Sequence, residues 1–398
     1  MIQPAALYRS PNALAPHYSR FRVAERLLLT GHSHQAWPDC GFDGHCAAWT
    51  DAAAYVDEKW ERAFAQAERV RRGFAGLLDD TDGAIALGAN THELVVRWLS
   101  ALPLKQRPRL VTTTGEFHTI RRQLDRLSEE GIEVTKVAAL PAATLPERLC
   151  GEVDDRTAAV LVSAVLYENA HVVPGLGQVL EACRRVGAEL LVDAYHALNV
   201  VPFSLRRERL EGAYVVGGGY KYCQLGEGNC FLRIPPDCAL RPAVTGWFAE
   251  FATLTEPEGT GRVAYPAGAG RFAGATYDPT SHYRGARVFD FFDEHALTPD
   301  FLRRVSRHQV GLLILGFDAL DADPRTIGRE RLVPLDQIGG FLALRSRHAA
   351  TLSRRLRDGG VHTDYRGNVL RLGPAPYLSD AQLTAAIDAL GDAGRSLR

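Results

Sequence analysis

Apolar and polar positions along the 398-residue chain change period several times, and each change predicts an element. From Trp49 to Leu78, WTDAAAYVDEKWERAFAQAERVRRGFAGLL, apolar residues recur every three or four positions with alanines between. That spacing predicts one amphipathic helix. Beyond it, short apolar runs alternate with helical stretches: AIALG then ELVVRWLSAL, RLVTTT then HTIRRQLDRLSEEG, AAVLVSAVLY then GLGQVLEACRRVG, and then ELLVDAY and AYVVGGG. Strands alternating with helices predict βαβ units and an α/β fold whose mostly parallel sheet is buried on both faces.

The pattern changes after about Ile234, where proline, glycine and aromatic residues crowd Pro235 to Pro279. Helical patterns then dominate, in ARVFDFFDEHAL, DFLRRVSRHQVGLLILGFDAL and FLALRSRHAATLSRRLRDGG. A strand pair around HTDYRGNVLRLG and a last helix, DAQLTAAIDALGDAG, complete a smaller α+β unit. We expect a large domain over 46–265, a small one over 266–398, and an N-terminal arm, 1–45, that joins the small one.

Composition narrows the possible functions. Lysine plus arginine, 46, nearly balances aspartate plus glutamate, 47, so bulk charge gives no case for nucleic acid or an anionic membrane. The expected partner is a small substrate. No run of about 18 uncharged apolar residues occurs, and the first residues have no apolar core of signal-peptide type. Seven scattered cysteines without a CxxC pair suit a reducing compartment, and we expect a cytoplasmic protein.

In an open α/β sheet, ligands bind at the carboxyl ends of the strands, so candidate chemistry is collected there. After AIALG, the turn Asn90, Thr91, His92, Glu93 opens a helix, where backbone N–H groups can hold a phosphate or the side chains can simply cap the helix. After RLVTTT stand Glu116, Phe117 and His118, two flat rings at a strand end. After LLVD stand Asp193 and His196, and after AYVVGGG stand Tyr220 and Lys221. The three glycines permit tight turns with positive φ and close approach of a ligand, but neither a Lys-Ser/Thr pair nor GxGxxG spacing is present, so no nucleotide motif fits. A lysine beside aromatic rings is partly desolvated and becomes a nucleophile, and a carboxylate ending a buried strand needs a cationic or hydrogen-bonding partner. A lysine for an aldehyde, a carboxylate for a ring nitrogen, a ring to stack and a helix start for phosphate are together what pyridoxal phosphate requires.

On these residues LLVDAYHALNVVPFSL followed by VVGGGYKYCQLGEG resembles the aspartate–histidine and lysine blocks of kynureninase, a fold type I, class V pyridoxal-phosphate enzyme. Gly246, Trp247 and Phe248 resemble its G-W-W, Asp364, Tyr365 and Arg366 its D-F-R, and VLRLGPAPYLS its arginine-bearing strand. The resemblance implies a seven-stranded-type sheet with helices on both faces and a homodimer with a shared active site. It implies that Lys221 holds the cofactor and moves the Cα proton while Asp193 keeps the ring nitrogen protonated. Tyr220, His196, Thr91 and Trp247 are similar to phosphate ligands, Trp247 crossing from a partner, with His92 and Thr276 as further cofactor contacts. Either Phe117 or His118 stacks on the ring, and Arg371 is similar to the arginine that clamps a substrate α-carboxylate. His32, Ser33 and Tyr167 fall on the substrate side.

The departures also fall on the substrate side. G-N-S-L-G appears as Gly31, His32, Ser33, His34, Gln35, F-P-x-D as Phe117, His118, Thr119, Ile120, and G-T-P as Gly274, Ala275, Thr276, Tyr277. His32 and His34 have no third ligand at a usual spacing, so no metal is expected. The expected reaction is hydrolytic Cβ–Cγ cleavage giving alanine and an aromatic acid, with a class V transaminase or a β- or γ-lyase as the alternative. A cysteine desulfurase is disfavoured, because no cysteine lies beyond Cys238 to carry a persulfide.

Overall fold

A computed structural model describes residues 2–253, 261, 263–395 and 397. Its strands are β1 (Leu27–Leu28), β2 (Ala84–Gly88), β3 (Arg109–Thr113), β4 (Glu133–Val137), β5 (Thr157–Ser163), β6 (Glu189–Asp193), β7 (Tyr214–Gly218), β8 (Cys230–Ile234), β9 (Leu342–Arg345), β10 (Val361–His362), β11 (Asp364–Arg366) and β12 (Val369–Leu372). Its helices are α1 (Pro4–Tyr8), α2 (Cys40–Tyr55), α3 (Lys59–Leu77), α4 (Thr91–Leu99), α5 (His118–Glu129), α6 (Leu145–Glu152), α7 (Leu176–Val186), α8 (Leu205–Glu208), α9 (Thr280–Glu294), α10 (Pro299–Ala319), α11 (Ala349–Asp358) and α12 (Asp380–Arg395).

Seven strands form the central sheet in the order β2-β8-β7-β6-β5-β3-β4, parallel except for β8, which runs antiparallel to both neighbours. The unbroken apolar runs are the middle of this sheet. Every residue of β5 and β7 is buried, as expected for strands covered on both faces. β4, EVTKV, is an edge strand with one buried residue, and its polar alternation hid it beside the helix that precedes it. β8, CFLRI, is fully buried, yet it follows a glycine-rich segment that breaks the strand–helix rhythm.

Two expected helical patterns resolve differently. The stretch from Trp49 to Leu78 is two helices, α2 and α3, separated where Val56 turns to φ 47°. FLALR is not helical: Leu342–Arg345 is β9, and the helix begins at Ala349. There β9 pairs with β12, which pairs with β11, and β1 pairs in parallel with β10. The N-terminal arm therefore lies beside the last strands, and one more bridge, Thr30 to Gly373, carries the pairing onward.

Candidate active site

Strand ends bring most of the expected residues to one cavity of about 440 Å³. Asp193 ends β6, and Tyr220 and Lys221 follow β7. Phe117 follows β3, Tyr167 follows β5, and Thr91 and His92 open α4 after β2. Asn90 caps α4, its side chain accepting from Glu93 N at 2.9 Å, and Asn90, Thr91 and His92 at this helix start line the cavity.

Lys221 is 5% exposed, and its Nζ lies 2.7 Å from His196 Nε2. The aromatic rings of Tyr195, Phe117 and Tyr220 surround the amine at 4.6, 5.2 and 5.8 Å. Burial pulls its pKa down to about 7, against an opposing pull from Asp193, and Arg371 lowers it further. Lys59, Lys105 and Lys136, the other lysines of the chain, are not buried. Burial also pushes the Asp193 carboxyl up, partly offset by the 2.9 Å hydrogen bond from Tyr195 N and by the charge of Lys221. His196 is driven well below its ordinary value by burial and then by Lys221 and Arg371, so its ring is neutral. Its Nδ1 is buried without a hydrogen-bond partner among the described residues. His196 lies against the amine and lines the same cavity as the start of α4.

The substrate side is a second cluster that abuts the first. Arg371 is buried on β12, directly opposite Asp364 on β11. Its Nε donates to Asp364 Oδ1 at 2.9 Å, Nη2 donates to Asp364 Oδ2, and Nη1 donates to Tyr167 O at 2.6 Å. His32 is fully buried with Nε2 2.7 Å from Asp364 Oδ1. Ser33 faces His34 instead, 3.2 Å from its Nδ1, and His34 stacks on Tyr220 with centroids 4.9 Å apart. His32 and His34 thus point to different partners. Phe117 and His118 both meet Tyr167, at 5.4 and 5.8 Å, but Phe117 lines the cavity while His118 also engages Arg121.

Trp247 and Thr276 are not brought to Lys221 within the chain. Trp247 is 43% exposed beside Phe248 and Phe251. Thr276 lines a larger cavity of about 760 Å³ that shares Ala89, Glu227 and Gly228 with the first but contains neither Lys221 nor Asp193. The buried lysine and the strand-end aspartate both line the smaller one.

Three contributors had no site role in the sequence reading. Tyr195, which sits two positions after Asp193, has a ring nearer the amine than those of Phe117 and Tyr220. Glu116 is buried, accepting from Thr113 Oγ1 and Ser163 Oγ, each at 2.6 Å; burial raises its pKa to about 7 despite these bonds, with a further push from Asp193. Asp364 is the third, and its signal was present: a hairpin places residues seven apart opposite each other, an acid facing Arg371.

This geometry has counterparts among known proteins. No family model matches the chain. The uncharacterized aminotransferase YcbU of Bacillus subtilis (strain 168) is 22% identical over 345 residues, covering 85% of this chain and 86% of that protein. Among solved structures, a mutant of C-DES with glycine covalently linked to its PLP cofactor superposes with a TM-score of 0.79 at 14% identity, covering 95% and 98% of the two chains. An apo cysteine desulfurase from Thermococcus onnurineus NA1 gives 0.78 at 14% identity, covering 94% and 95%. The complex of the cystine C-S lyase C-DES with cysteine persulfide gives 0.77 at 15%, covering 93% and 98%. The chain has the fold type I architecture of pyridoxal-phosphate enzymes. Within that architecture its buried lysine and strand-end aspartate lie at the carboxyl edge of the sheet, where an α/β fold binds its ligand.

Proposed function

We propose that the chain is a pyridoxal-phosphate enzyme that removes the Cα proton of an amino acid. One observation carries this reading: a single buried lysine, its amine 2.7 Å from His196 Nε2, shares a cavity with an aspartate at a strand end. The orphaned His196 Nδ1, the start of α4 along the cavity wall and the ring of Phe117 are surroundings that fit a flat, phosphorylated, hydrogen-bonding group. Bound there, pyridoxal phosphate supplies an aldehyde for amines and a protonated ring that accepts electrons from Cα.

Each residue then has a task. Lys221 holds the group and moves the Cα proton, and its depressed pKa, about 7, lets it both take and give a proton near neutral pH. Asp193 keeps the ring nitrogen charged. Thr91, His92 and the N–H groups opening α4 receive the phosphate with Tyr220, and Phe117 stacks on the ring. His196 serves the amine of Lys221. Arg371 takes the α-carboxylate, with Tyr167 and His32 bounding the space beside it.

For the reaction we propose kynureninase-type hydrolysis, supported by the motifs around Asp193, Lys221, Gly246 and Asp364. Water adds across the Cβ–Cγ bond, hydroxyl to Cγ to leave an aromatic acid and hydrogen to Cβ to leave alanine. A β-lyase is the second reading, favoured by the likeness of the fold to a C-S lyase. No cysteine follows Cys238, which disfavours a persulfide-carrying desulfurase. We further infer a homodimer whose Trp247 and Thr276 complete the partner's site, and a cytoplasmic protein. No described helix is long and apolar enough to cross a membrane.

Borohydride treatment of the reconstituted protein followed by peptide mapping should tag Lys221. A tag on another lysine, or colourless protein, sinks the cofactor reading. Mixing the holoprotein with kynurenine, 3-hydroxykynurenine, cysteine and alanine then separates the reactions: alanine formed with an aromatic acid marks the hydrolase, and pyruvate from cysteine marks the lyase.

A further inference from the structure

We propose that His32 and Asp364 are positioning residues for carboxylate recognition, holding the Arg371 guanidinium side-on so that its remaining N–H pair faces a substrate α-carboxylate. This rests on the reading of Arg371 as the carboxylate-binding residue.

The arrangement is a chain of buried contacts across three strands' worth of backbone. The hairpin β11–β12 sets Asp364 and Arg371 opposite each other in register. Both carboxylate oxygens of Asp364 are used on one edge of the guanidinium, by Nε and Nη2, and Tyr167 O takes one N–H of Nη1. A guanidinium has a second N–H on each terminal nitrogen. With these three bonds made, one N–H on Nη1 and one on Nη2 have no hydrogen-bond partner among the described residues, and such donors suit a carboxylate.

Asp364 in turn is held by His32, which arrives from the N-terminal arm. Gly31 N donates to Gly373 O and Gly373 N to Leu29 O, each at 2.8 Å, and this pairing delivers the imidazole beneath the hairpin. A Cβ at Gly373 would come within 2.1 Å of His32 Nδ1, so only glycine leaves room for the ring there. Because Nε2 faces a carboxylate oxygen, it carries the hydrogen, and Nδ1, buried without a partner among the described residues, is the bare nitrogen. His32 is therefore a neutral, fixed donor. Burial lowers its pKa to about 4, with Asp364 opposing and Arg371 adding to the fall, which agrees with that state.

The consequence concerns selectivity between amines. An amino acid and a simple amine both react with an aldehyde cofactor, but only the amino acid has a carboxylate for Arg371 to receive. The test titrates the holoprotein with L-alanine and with ethylamine, reading cofactor absorbance. In Asp364→Asn and His32→Leu, the apparent affinity for alanine should fall about tenfold or more, the size of a charged hydrogen bond, while that for ethylamine changes less than about twofold. His32→Gln, which can still donate an N–H to Asp364, should recover most of the loss; this pair of His32 variants carries the test if Asp364→Asn does not fold. Equal weakening of both probes, or alanine affinity left intact, overturns the proposal and makes the cluster a structural one. A wild-type protein whose absorbance responds to neither probe overturns the cofactor reading instead.

Discussion

Lys221 is buried by the same residues that make it reactive. His196 and the rings of Tyr195, Phe117 and Tyr220 exclude water from the amine, and a charge without water is costly, so the neutral form is favoured. An amine is nucleophilic only when unprotonated. The rate at which the apoprotein captures pyridoxal phosphate should therefore rise with pH through a midpoint at about 7 and level off above it, where a solvated lysine would still be climbing. Stopped-flow absorbance across pH 5 to 10 is the measurement, and a midpoint near 10 would show that the amine is solvated. Asp193→Asn keeps the shape but cannot hold a ring nitrogen protonated. Turnover should fall by about 10²-fold or more, roughly 3 kcal/mol of barrier, with folding preserved by circular dichroism. Near-full activity would remove Asp193 from the site.

At the scale of elements, the glycines that end and follow β7 have a different use from the one their run suggests. None of Gly217, Gly218 and Gly219 is among the positive-φ residues, so they make no left-handed turn. They are there for contact. A Cβ on Gly218 would lie 2.4 Å from Tyr195 Oη and 2.6 Å from Cys230 Sγ. Gly218→Ala should destabilise the protein by roughly 1–3 kcal/mol through overpacking, seen as a lower denaturant midpoint. Since Tyr195 lies 4.6 Å from the Lys221 amine, the cofactor absorbance should shift as well. An unchanged midpoint would mean that β7 and β8 separate more freely than their burial implies. The α4 cap has a smaller and more local role: Asn90→Ala should cost about 1 kcal/mol and weaken phosphate-dependent cofactor retention, measured by dialysis against buffer.

At the scale of the whole molecule, Trp247 and Phe251 stand about two-fifths exposed, at 43% and 42%, with Phe248 against them. Large apolar residues gathered at a surface are costly to leave in water. This supports the proposed homodimer, and sedimentation equilibrium should give twice the 43.6 kDa chain mass. Trp247→Ala should shift that equilibrium toward monomer and reduce cofactor retention together. A monomer that retains cofactor and turns over substrate would refute a shared site.

Residue order alone determined the α/β architecture, because buried parallel strands must be apolar throughout and the helices between them must be amphipathic. It also pointed to Lys221 and Asp193, since polar residues that end apolar runs gather along one edge of such a sheet. Elements whose patterns are weak or borrowed were not legible: β4 is a polar edge strand, β9 shares the periodicity of the helix after it, and the break at Val56 interrupts a stretch that reads as one helix. Distances between residues far apart in the chain were decided only by tertiary structure. The 2.7 Å contact of His196 with the Lys221 amine is one such distance, made because the turn after β6 carries the ring across to the end of β7 beside it. Arg371 was expected to receive a carboxylate, and the fold sets Asp364 along one edge of its guanidinium and Tyr167 O on Nη1. His32 joins them from 332 residues away, brought by the pairing of the arm with the last strands. Local patterning controls which segments are buried and in what conformation; which buried groups then meet depends on strand order and register, which no single segment encodes.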